Sequence, residues 1–116
     1  MTNQITETIN PKEAILFLCG GIDIVSKQFT EMLKYCKKKN LRVVDMFFDT
    51  SNIKSYEKDC FNKLLEYLKH NKTKTAVVFY SRSDFCSNPL THKLNSFMQS
   101  GQIELRFAKD NVIITS

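Results

Sequence analysis

The sequence predicts a three-layer α/β domain, a mainly parallel sheet flanked by helices. Three observations carry this. Short apolar runs of strand length recur along the 116 residues, segments with helical periodicity lie between them, and the two kinds alternate. Such alternation implies βαβ units, whose parallel sheet is covered on both faces. The length suits one domain with a modest core of its own.

Residues 1–12 read as a loose polar tail and 13–116 as the domain. The run from Glu13 to Cys19 is a buried strand, punctuated by Gly20 and Gly21. Val25, Phe29, Met32, Leu33 and Cys36 recur at helical spacing, and Lys37, Lys38 and Lys39 close that helix, where cations suit the negative end of its dipole. Leu41 to Phe48 is the second strand, and Asp49 to Tyr56 a polar loop. Phe61, Leu64, Leu65 and Leu68 mark a second helix ending near His70, and Thr75 to Tyr80 is the third strand. After the polar stretch Ser81–Asn88, Pro89 opens a third helix holding Leu90, Leu94, Phe97 and Met98, with Gly101 as its C-cap. Ile103 to Ala108 is a fourth strand, and Asn111 to Thr115 a fifth after a tight turn at Lys109-Asp110.

Composition narrows the classes of function. No apolar run reaches membrane-spanning length, and no basic segment followed by an apolar stretch opens the chain, so a cytoplasmic protein with no membrane partner is expected. Cys19, Cys36, Cys60 and Cys86 are irregularly spaced without a CxxC pair, and His70 and His92 stand alone, which argues against a metal site or a disulfide framework. Gly20-Gly21 lacks the spacing of a nucleotide-binding loop, and no cofactor is expected. The net charge of +5 suits a phosphate-rich partner, with lysines clustered at 37–39 and at 69, 72 and 74. Fourteen of the cations are lysines and only Arg42, Arg82 and Arg106 are arginines, so the planar, two-pronged grip on phosphate is scarce.

Ligands of such sheets gather at the carboxyl ends of the strands. That edge should carry Cys19-Gly20-Gly21, Asp49 to Tyr56 and Ser81 to Asn88. In this order and frame the three loops resemble the catalytic domain of serine site-specific recombinases, the resolvases and invertases. VVFYSRSDFCSN, residues 77–88, fits the family's third strand and DRLxRN loop without insertion. Gln28 falls on the family's helix glutamine, FDTSN from Phe48 is similar to its strand-to-loop region, and IELRFAKDNVIITS to its last strand pair. The resemblance covers residues 13–116.

The resemblance implies a resolvase-like fold, DNA as partner, and a serine hydroxyl attacking a phosphodiester while arginines stabilise the phosphoryl charge. It also marks departures. The nucleophile of the family's YxRVS falls on Cys19, and the arginine two places earlier on Phe17. The arginine before the second helix falls on Lys58, and the DRLxR arginines on Asp84 and Ser87, with Arg82 two residues before the first. The catalytic candidates are Cys19, Gln28 and Lys58, carried over residue by residue, with Arg82 nearby; the phosphate-binding candidates are Lys58, Arg82 and Gly20-Gly21, whose lead into the first helix is the pattern of an anion cradle. Losing one charge-stabilising donor typically costs ~100-fold or more in rate. A catalytically silent domain that binds DNA weakly and nonspecifically, a protein partner or a second copy of itself is therefore the expected function. The alternatives are a strand-transfer enzyme with an altered nucleophile and a flavodoxin-like domain binding a small anion. The family continues past its last strand into a dimerisation helix and a DNA-binding unit, whereas this sequence stops at Ser116.

Overall fold

The computed structural model describes residues 12–19, 22–49, 60–71, 73–82 and 91–114. Their elements are β1 (Lys12–Cys19), α1 (Ile22–Lys38), β2 (Leu41–Asp49), α2 (Cys60–His70), β3 (Thr75–Phe79), a 3₁₀ turn (Thr91–Leu94) running into α3 (Asn95–Gln99), β4 (Ile103–Phe107) and β5 (Val112–Ile114). The strands form one sheet in the order β2-β1-β3-β4-β5, with β5 alone antiparallel.

β1 lies inside the sheet because its residues can be buried on both faces. Ala14, Leu16 and Leu18 point to the α1 side, where they pack with Val25, Met32, Tyr35 and Cys36, and with Ala76 and Val78 of β3. Ile15 and Phe17 point to the opposite side, into a core built by Leu64 and Leu68 of α2, Leu94 and Met98 around α3, and Val77, Phe79, Leu105 and Phe107. The two clusters make the three layers: α1 on one face, α2 and α3 on the other. Burial of both faces is why β1 and β3 read as continuous apolar runs rather than alternating ones.

The helices end on local signals. Asp23 sits in the first turn of α1 and Lys37 and Lys38 in its last, each matching the local sign of the helix dipole. Asn40 then turns the chain with φ 59°. Gly101 takes φ 81° after α3, its N–H donating to Met98 C=O while Gln102 N–H donates to Phe97 C=O, a Schellman closure that an L side chain would strain.

Several boundaries depart from expectation. Lys12 belongs to β1 rather than to a tail, because its ammonium reaches Glu104 on β4 at 2.8 Å. The third helix is a 3₁₀ turn followed by five α-helical residues, which still brings Leu94 and Met98 into the core. β2 carries an irregularity opposite Ala14/Ile15, where Val44 is the extra residue and Asp45 takes the N–H of Met46. On the α1 face, Glu104 accepts from both Lys12 and Arg106 (2.6 Å), and Arg106 Nη1 donates to the Tyr35 hydroxyl at 3.4 Å. This polar cluster ties β1, β4 and α1 together. Beside it the Cys36 thiol is buried, and burial pushes its pKa up to about 11 despite the opposing charge of Arg106.

Candidate functional site

The strand order locates the site. β1 leads through α1 on one face to β2, while β3 leads to α3 on the other face and on to β4. The connections leaving β1 and β3 thus part to opposite sides, and in sheets of this kind ligands gather in the crevice expected at the carboxyl ends of such neighbouring strands. Phe17 pairs with Phe79 in register. Two residues further, β1 ends at Cys19, and the continuation of β3 is Ser81, which is buried.

Gln28 comes to this region from α1. It occupies the buried stripe of that helix, between Val25 and Met32, and is only 8% exposed. Seven residues separate it from Tyr35, so the two share a helix face, Gln28 about 10 Å nearer the carboxyl edge. Its Oε1 is fully buried and accepts no hydrogen bond among the described residues. An amide carbonyl in that state costs roughly 1–3 kcal/mol relative to a satisfied one. The helical stripe read from the sequence runs through Phe29 and passes over position 28; only the frame resemblance singles out the glutamine.

Arg82 follows β3 and is exposed. Its backbone N–H donates to the Asp110 carboxylate at 2.8 Å, which ties the crevice's β3 side to the turn after β4. In the sequence Lys109-Asp110 reads only as a turn, because nothing local signals a partner 28 positions away. Asn111, with φ 55°, lets the turn close, its N–H donating to Phe107 C=O at 2.8 Å.

Of the sequence-derived site residues, the structure therefore puts Gln28 and Arg82 at the carboxyl half of the sheet and Cys19 at the end of β1. The Cys19 side chain, Gly20, Gly21, Lys58, Asp84 and Ser87 lie outside the described residues. Phe17 is described fully. It is 2% exposed, and its ring lies 5.5 Å from that of Phe79 in the α2-side core. Among the described residues no cluster of His, Cys, Asp and Glu is arranged to hold a metal ion, and no helix is long and apolar enough to cross a membrane.

Comparison with protein-family models, with curated proteins and with solved structures yields no match for this chain.

Proposed function

We propose that this chain is a serine-recombinase-like domain that has lost the family's chemistry and serves in the cytoplasm as a binding module for DNA. The observation that carries the reading is the setting of Phe17. The resemblance assigns an arginine to that position, and here an aromatic ring fills it as part of the core against Phe79. A residue so placed contributes packing and no charge to the crevice. With Asp84 and Ser87 at two more of the arginine positions, a bound strand's phosphoryl oxygens would keep only Lys58 and, nearby, Arg82 of the family's cationic cradle. Electrostatic stabilisation of that kind usually supplies more of the rate acceleration in such a reaction than any other effect. The Cys19 thiolate would be a soft nucleophile at phosphorus without it.

The test is incubation of the chain with supercoiled plasmid, followed by agarose and denaturing gels. Neither nicking nor a covalent protein–DNA adduct is expected. An adduct that disappears on Cys19→Ala would replace this reading with that of an active enzyme of altered mechanism.

A further inference from the structure

We infer that the domain holds nucleic-acid phosphates at the amino edge of its sheet, opposite the edge where the crevice lies. This rests on the DNA-binding reading above and changes which surface does the work.

Because β1 to β4 are parallel and each helix connects one strand's end to the next strand's start, every helix terminates at the amino edge. α1 ends there with Lys37, Lys38 and, just after it, Lys39; α2 ends there with Lys69; and Lys74 precedes β3. Two acids of that half are ion-paired, Glu13 with Arg42 at 2.8 Å and Glu104 with both Lys12 and Arg106, while Glu66, one turn before the end of α2, lies 3.7 Å from His70 Nε2. Lys37, Lys38, Lys69 and Lys74 are exposed and have no carboxylate at ion-pair distance among the described residues. The helix dipole contributes only about −0.5 of a charge at each terminus, which leaves the edge strongly positive. The described part of the carboxyl half mixes signs instead, with Asp23 and Asp110 alongside Lys27, Arg82 and Lys109.

Geometry adds to charge. Lys69, Asn71, Lys74, Ser100, Gly101 and Gln102 line a notch of about 310 Å³ with no acidic residue in its wall. Its floor is held in place, since the Gln102 side-chain amide donates to both Leu68 C=O and Asn71 C=O at 2.6 Å. Asn71 in turn donates to the Thr75 hydroxyl and accepts the Thr73 N–H. Two lysines over a rigid polar notch suit a phosphate group, and the α1 lysines on the other layer extend the positive surface for a polyanion. Of the exposed large apolar side chains, Ile24 and Leu33 lie nine residues apart on opposite faces of α1 and Ile113 is on β5, so no apolar stripe among the described residues borders the lysines, which favours nucleic acid over a membrane.

The experiment measures anisotropy of a short fluorescent DNA duplex against salt for the whole chain and for three double variants. Lys37→Gln/Lys38→Gln and Lys69→Gln/Lys74→Gln should each weaken binding roughly tenfold at low salt and lower the slope of log K against log salt by about 1–2. Lys27→Gln/Lys109→Gln removes the same charge from the carboxyl half of the molecule and should stay within about twofold of the parent. Equal losses in all three would reduce the effect to net charge and overturn the inference. Binding that survives both amino-edge variants but falls with Arg82→Gln would overturn it too, while sparing the DNA-binding reading. No duplex binding by the parent chain at low salt would remove both. Anionic lipid vesicles competing the duplex off, with the parent chain retained on them, would assign the surface to membranes instead.

Discussion

The rings of Phe17 and Phe79 lie 5.5 Å apart on adjacent parallel strands, tilted by 39°, with Phe107 stacked on the far side of Phe79 at 6.1 Å. Three aromatic rings thus run across three neighbouring strands at one level of the sheet, two residues short of the end of β1.

Restoring the family's arginine at position 17 should therefore unfold the site rather than repair it. Phe17→Arg would place a guanidinium in a core cluster that holds no carboxylate among the described residues, at a cost of at least about 3 kcal/mol. Phe17→Leu should cost only about 1–2 kcal/mol. Urea denaturation of both variants reads the difference. A folded Phe17→Arg protein within about 1 kcal/mol of the parent would mean that the side chain can swing out to the crevice.

Gln28 should behave in the opposite way. Its buried Oε1 lacks a partner among the described residues, so replacing it by the similarly shaped but apolar methionine removes an unsatisfied acceptor and keeps the packing. Gln28→Met is expected to stabilise the chain by about 1 kcal/mol, seen as a rise of several degrees in Tm. A loss of stability would show that the amide is already engaged in solution.

The Glu104 cluster sets an acid-side limit on stability. Burial works to raise the pKa of this carboxyl, but the hydrogen bonds and charges of Lys12 and Arg106 outweigh it and hold the pKa below the ordinary glutamate value. A depressed folded-state pKa stabilises the fold above the unfolded value, near pH ~4.3, and that contribution is lost as pH falls through the folded one. Glu104→Gln should accordingly cost about 2–3 kcal/mol at neutral pH, and the gap to the parent should close on acidification below pH ~4. Thermal melts across that range measure it. A gap independent of pH would mean that the cluster acts through shape alone.

Much of the fold is legible in the sequence because its signals are local. The apolar run Ala14–Leu18, the stripe Val25, Met32 and Cys36, and Gly101 each state their own conformation, and chain alternation then orders the layers. The antiparallel β5 is equally readable, from the short turn before it. What escapes is long-range. Glu104 sits in a strand, IELRF, whose alternation reads as one face in water rather than a buried carboxylate, and its partner Lys12 is 92 positions away. Lys12 itself, polar and next to a polar segment, carries no sign of belonging to a strand until β4 supplies the carboxylate. The candidate site is legible only as a frame. Position 28 is unremarkable in the helical pattern, and Asp110 shows its bond to Arg82 only once β3 and β4 lie side by side.

The two margins of the sheet bear on whether copies of this domain can zip together. An open strand with free backbone groups is a template for intermolecular pairing and fibre growth. On one side that strand is β5, only three residues long. On the other it is the nine-residue β2, interrupted by its extra residue Val44 and carrying charged Arg42 and Asp45, the latter occupying a main-chain N–H of its own strand. A short margin and a kinked, charged one both discourage strand-to-strand polymerisation, so resistance to fibre growth can be built into the borders of a sheet.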